Sequence, residues 1–188
     1  MRIAQVAPLF ESVPPASYGG TERVVAYLTD ELVQLGHDVT LFASGDSSTS
    51  ATLVPVSPRS LRLDTGCVDH LAWHILMIER VAEAAAHFDL IHFHIGHIHL
   101  PVVRRLSTPS VTTTHGRLDL PELVPLFTEF HDTPLSYAAD DQIARWKLTM
   151  FQIAVDAVRS ASRKSLVEPT RSPMFFGSVL RMVWCTWP

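Results

Sequence analysis

The chain has 188 residues, enough for one α/β domain with a sizeable core and hardly enough for two. With 47% hydrophobic and 18% charged residues it is globular, and a formal net charge of −4 without a dense basic stripe argues against a dedicated nucleic-acid binder. Cys67 and Cys185 lack metal-ligand spacing and suit a reducing compartment, the N-terminus shows no signal-peptide pattern, and no apolar run reaches the ~20 residues of a membrane helix, so a cytoplasmic protein is expected.

Arg2-Ile3-Ala4-Gln5-Val6-Ala7-Pro8 reads as a buried parallel strand, an apolar run interrupted by Gln5 and ended by Pro8. Tyr18-Gly19-Gly20-Thr21-Glu22-Arg23 then opens a helix in which Val24, Val25, Leu28, Leu32 and Leu35 repeat at helical spacing as far as Gly36. Thr21 is its expected cap, and Glu22 complements the helix dipole. A second strand runs from Val39 to Ala43, followed by a polar loop, a short strand from Thr52 to Val56 and a connection over 58–66. Val68, Leu71, Ala72, Ile75, Leu76, Val81 and Ala85 mark the apolar face of a long helix, with Asp69, Glu79, Arg80 and Glu83 on its polar face. Asp89 to His94 is a strand, Leu100 to Leu106 a short helix, and Ser110 to Thr114 a strand that ends in His115-Gly116. Pro121 to Phe130 is one more helix and Pro134 to Ala138 one more strand. Strands and helices in this order imply right-handed crossovers and an α/β doubly wound parallel sheet, Rossmann-like in type. Beyond Gln142 the pattern changes. A helix is allowed over 143–160, but 163–188 has no consistent period and ends in an aromatic, apolar run around Trp184 and Trp187.

The glycine turn stands at the carboxyl end of the first strand, where open α/β sheets bind ligands. Gly19 and Gly20 let backbone approach a ligand closely, and free N–H groups at the helix start suit an anion; a tight connection that needs glycine only for its geometry accounts for them equally well. From the residues alone, a non-catalytic Rossmann-like binding module, with its tail docked on a partner, is one alternative. A nucleotide-dependent oxidoreductase is another, although the glycines do not follow the Gly-x-Gly-x-x-Gly spacing and Asp46 lies in a loop beyond the second strand.

Four stretches occur in order: Tyr18-Gly19-Gly20-Thr21-Glu22-Arg23, Leu35-Gly36-His37-Asp38-Val39-Thr40-Leu41-Phe42, Phe88-Asp89-Leu90-Ile91-His92-Phe93-His94 and Thr113-Thr114-His115-Gly116. Together they resemble the N-terminal domain of the retaining GT-B glycosyltransferases of family 4, over residues 1–142. The resemblance implies one half of a GT-B architecture: an acceptor-side Rossmann-like domain facing a second domain that holds a nucleoside-diphosphate sugar across a cleft. The intact enzyme would transfer the sugar to a hydroxyl acceptor with retention, without a metal or other cofactor. The family's donor-side signature, two glutamates with seven residues between them and an Arg/Lys pair, is not matched; Glu122 and Glu129 have six residues between them and lie in the wrong domain. The chain therefore reads as a truncated enzyme, inactive alone, with an atypical tail at 143–188. A shifted reading frame explains that tail: one nucleotide later, residues 159–165 allow Gly-Leu-Pro-Leu-Glu-Ser-Leu, close to a family motif after the interdomain region.

Residue by residue, the resemblance places Gly19, Gly20 and Thr21 near donor phosphate and acceptor, and His115 against the donor sugar or its phosphate. Physically, an imidazole there can donate to a sugar oxygen and change charge near neutral pH; a strand-end histidine satisfied by backbone carbonyls is the plain alternative. Of His92, His94, His97 and His99, alternation puts the first two on one strand face, where zinc is conceivable, but no cysteine or carboxylate completes the set. His94, nearest the strand end, is the acceptor-site candidate among them. Arg117 and Asp119 follow His115 and would line the cleft with groups for a hydroxyl-rich acceptor, unless they are an ordinary surface pair. Glu11 and Ser12 are weaker acceptor-side candidates, and Trp73 and His74 belong to the long helix rather than to a site.

Overall fold

The computed structural model describes residues 1–62 and 64–137. Six strands form one sheet: β1 (Arg2–Val6), β2 (Asp38–Ser44), β3 (Thr52–Ser57), β4 (Leu90–Phe93), β5 (Ser110–Thr114) and β6 (Leu135–Tyr137). Their order is β3-β2-β1-β4-β5-β6 and every pairing is parallel. Four helices connect them: α1 (Gly20–Gln34), α2 (His70–Ala84), α3 (Leu100–Val103) and α4 (Leu123–Glu129). The doubly wound parallel sheet expected from the order of elements is thus what the chain folds into. The tail expected at 143–188 lies outside the described residues.

β1 sits at the centre, flanked by β2 and β4, so its residues are buried on both faces and the strand reads as an apolar run rather than an alternation. Ala4 and Val6 point to one face, into the largest cluster, with Phe42, Ile91, Phe93, Met77, Ile78, Val81 and Val103. Ile3 points to the other, where α1 lays Leu32 against Ile3 and Val39, and Val25 and Ala26 against Leu41 and Ala43. β3 tolerates Pro55 because it is an edge strand, and its pairing to β2 shifts register after Ala43.

The long second helix starts where Asp69 caps it, its carboxylate accepting the Leu71 and Ala72 N–H groups. Its buried face keeps Val81 and Ala85 of the expected one but departs from it in the first half. His74, Met77, Ile78 and Val81 are buried, whereas Leu71, Ile75 and Leu76 are about half exposed and Val68 stands outside the helix at 98% exposure. The helix is apolar nearly all round, so periodicity alone cannot choose a face. His74 makes the choice visible: its Nδ1–H donates to the His70 carbonyl at 2.8 Å, and its Nε2 accepts the Leu9 N–H at 3.2 Å. That bond ties α2 to the segment that follows β1.

Candidate functional site

Because all six strands are parallel, the chain leaves each of them on the same edge of the sheet. β1 and β4 are neighbours whose connections run to opposite sides, which makes the edge between them the switch point of the topology. The turn with Gly19 and Gly20 follows β1, His94 follows β4, and His115 follows β5.

Gly19, not Thr21, occupies the cap position of α1. It is buried at φ +136°, and a Cβ there would lie 2.7 Å from the Cβ of Pro15, so only glycine fits. No side chain caps the helix; Thr21 is already inside its first turn, because the chain enters from Gly19 one step earlier than a threonine cap requires. Gly20 is exposed, with nothing within 4 Å of where a Cβ would be. Among the described residues, neither the Gly20 nor the Thr21 amide donates to a protein group. Glu22 does more than complement the dipole. It is 4% exposed, and burial raises its carboxyl above its ordinary pKa against a smaller opposing pull from the backbone at Glu22 and Glu11.

The histidines form a buried row. His94 is 3% exposed and touches three groups: Nδ1 lies 2.9 Å from His115 Nε2, Nε2 lies 2.9 Å from Gln5 Oε1, and its ring tilts against His92 at 4.1 Å between centroids. His92 Nε2 is 2.8 Å from the Thr113 hydroxyl. His99 lies on the opposite face, its Nε2 2.7 Å from the Thr112 hydroxyl and its ring stacked on Phe93 at 4.2 Å. Burial pushes the imidazoles of His92 and His99 down to about 3 and that of His115 down to about 4, and holds His94 well below its ordinary range. His115 is therefore neutral at pH 7. The charge switch near neutrality expected for it does not occur, because too little water reaches the ring to solvate an imidazolium.

His97 is exposed. Among the described residues no group of three or more His, Cys, Asp or Glu side chains is arranged to hold a metal ion. Arg117 and Asp119 pair with each other, at 2.7 and 2.9 Å, on the surface, with more than half of each side chain exposed. Glu11 binds Arg62, whose guanidinium lies over the rings of Tyr18 and Phe10 at 4.9 and 5.9 Å, while the Ser12 hydroxyl donates to the Pro14 carbonyl. Asp46 accepts the Ser60 N–H and hydroxyl at 2.9–3.0 Å.

The model of Glycosyltransferase Family 4 matches residues 18–164, from the glycine turn onward. The chain belongs to that family. The family 4 match begins at Tyr18, in the segment that leads to the Gly19 cap, and runs past residue 142. Among solved structures, the glycosyltransferase AviGT4, involved in avilamycin A biosynthesis, is 27% identical over 62% of this chain and 32% of its own, with a TM-score of 0.39. This family 4 chain thus spans about a third of that enzyme's length. The C-terminal domain of the coenzyme A biosynthesis bifunctional protein CoaBC is 11% identical over 87% of this chain and 96% of its own, with a TM-score of 0.54, a likeness of fold alone. No curated protein matches the chain. Among the described residues no helix is long and apolar enough to cross a membrane.

One residue of this edge was not singled out in the sequence. Gln5 is fully buried in the central strand and touches His94. The signal for it was present: an amide in a strand buried on both faces must find a polar partner there.

Proposed function

We propose that residues 1–142 are the acceptor-side half of a retaining glycosyltransferase, with the edge after β1, β4 and β5 as one wall of its cleft. The observation that carries this reading is that two kinds of neutral hydrogen-bonding group follow strands on one edge of the sheet of a family 4 domain, about its topological switch point. One is the pair of amides at Gly20 and Thr21, on the positive end of a fifteen-residue helix; the other is the imidazole pair of buried His94 and half-buried His115. The amides suit a nucleoside diphosphate, since unpaired N–H groups and the helix dipole both favour anionic oxygen. The imidazoles suit sugar hydroxyls: being uncharged, they orient a hydroxyl without attracting a counterion, and His115 Nδ1 has no hydrogen-bond partner among the described residues. In transfer with retention the diphosphate must leave as negative charge builds on it, and donors already aimed at that oxygen need no reorganisation. Arg117 and Asp119 sit beyond His115 as further acceptor contacts once their mutual pairing is exchanged for hydroxyls.

On this reading, transfer draws on a second domain that holds the nucleoside-diphosphate sugar across the cleft. No metal or cofactor is invoked. The oxidoreductase reading loses its ribose anchor, because Asp46 is already engaged by Ser60.

The test is a titration of the isotope-labelled chain with nucleoside-diphosphate sugars, free sugars and nicotinamide dinucleotide, followed by NMR. Sugar nucleotides should shift the Gly20 and Thr21 amides, and free sugars the His115 ring. Shifts confined to the opposite edge of the sheet, or a response to the dinucleotide alone, would reject the glycosyl-transfer reading.

A further inference from the structure

The contact between Gln5 and His94 has a consequence at the surface. In the structure Gln5 turns its carbonyl oxygen to His94 Nε2 at 2.9 Å, and an oxygen there can only accept. His94 Nε2 therefore carries the proton, and the buried, uncharged ring keeps a lone pair at Nδ1. His115 Nε2, 2.9 Å from that lone pair, must then be the donor of the next bond. Its own proton is spent inward, and the half-buried His115 is left with a bare nitrogen, Nδ1, on its other side. A chain of two hydrogen bonds thus fixes both tautomers from one end.

We infer that Gln5 is a positioning residue that makes position 115 a hydrogen-bond acceptor: it holds His94 in the Nε2–H form, and His94 holds His115 in the Nε2–H form. Gln5 touches no ligand itself, since it is fully buried. The other end of its amide makes the role specific. Among the described residues Gln5 Nε2 is buried without a hydrogen-bond partner, and His94 alone bonds the amide. A side chain kept for packing alone would be apolar here, as Ile3, Ala4 and Val6 around it are. On the glycosyl-transfer reading, from which this part follows, the bare nitrogen accepts a hydrogen bond from a sugar hydroxyl rather than donating one to a sugar oxygen. The hydroxyl oxygen is then free to accept elsewhere, and its orientation is set.

Histidine tautomers are read directly from the ¹⁵N shifts and long-range ¹H–¹⁵N couplings of the rings, in the chain as it is, with signals assigned through His94→Asn and His115→Asn. The wild-type chain should show both rings as Nε2–H. In Gln5→Leu and Gln5→Met the acceptor is gone, and a buried lone pair is easier to leave alone than a buried N–H. His94 should move its proton to Nδ1 and His115 in turn to Nδ1, so that both patterns invert; two variants are used so that one failure to fold leaves the other. Wild-type rings in the Nδ1–H form, or tautomers that stay unchanged when Gln5 is replaced in a folded chain, would overturn the inference. The readout needs no sugar. Correct tautomers with no sugar response at His115 would leave the relay standing and remove the glycosyl-transfer reading instead.

Discussion

The two faces of the sheet are built from the same strands and solve different problems. On the α2 side, Ala4, Val6, Phe42, Ile91 and Phe93 meet Met77, Ile78 and Val81 in a continuous apolar layer. On the α1 side the apolar layer covers β1 and β2 and then stops; across β4 and β5 the same face carries His92, His94 and Thr113, with Gln5 reaching in from β1. β4 shows the contrast in four residues, Leu90-Ile91-His92-Phe93, where strand alternation sends His92 to one face and Ile91 and Phe93 to the other. An apolar layer tolerates any well-fitting hydrocarbon, whereas a buried polar row must satisfy each member. The first stabilises the fold; the second is the costly arrangement, and it leads to the edge where the cleft is proposed.

Acid should break the comparison most strongly. His92, His99 and His115 have native pKa values of about 3, 3 and 4, below the ordinary histidine value of 6.5. The unfolded chain therefore binds protons before the native one does, and stability rises with pH in this window. The contribution is complete above pH 6.5 and is lost as pH falls from 6.5 toward 4, at up to about 1.4 kcal/mol per pH unit for each ring. The chain should therefore lose stability steadily as pH falls toward 4.5. Thermal melts from pH 7.5 to 4.5 check this, and His99→Phe should flatten the slope; a flat profile in the wild type would mean the rings are not held neutral.

Adjacent residues in β4 sharpen the contrast at constant pH. Phe93→Ala opens the apolar layer and should cost about 3–5 kcal/mol in urea unfolding. His92→Ala removes one hydrogen bond and leaves the Thr113 hydroxyl short of that partner, a cost of about 1–3 kcal/mol. Equal losses would mean that the polar row packs like the apolar one. On the same scale as His92→Ala, the paired glycines should separate. Gly19→Ala forces a side chain into positive φ against Pro15 and should cost roughly 1–3 kcal/mol, whereas Gly20→Ala meets nothing and should leave the melting midpoint in place. A silent Gly20→Ala that still weakens the response to sugar nucleotides would locate the ligand at that amide.

Much of this was legible in the residues. Ser110 to Thr114 emerges as a strand with the expected ends, and the run of elements sufficed for a parallel sheet, because strand and helix periods differ and crossovers have one hand. That His94 closes a strand and His97 lies beyond it could be read from alternation, and the structure buries the first and exposes the second. The buried face of α2 could not be read in full, since Leu71, Ile75 and Leu76 are as apolar as Met77 and Ile78. Nor could the charge state of His115, which depends on how much water reaches the ring once β4 and β5 are side by side.

What the sequence determined by itself was local and periodic: where strands and helices lie, that their order winds a parallel sheet, and that a glycine turn and a histidine each follow a strand. Only the tertiary structure decided that Gln5, 89 positions before His94, would lie against it, and that His94 would in turn meet His115. Periodicity reports which side of its own element a residue occupies. Which strands become neighbours, and how completely they exclude water, is settled by the packing of the whole sheet, and the protonation of these rings follows from that.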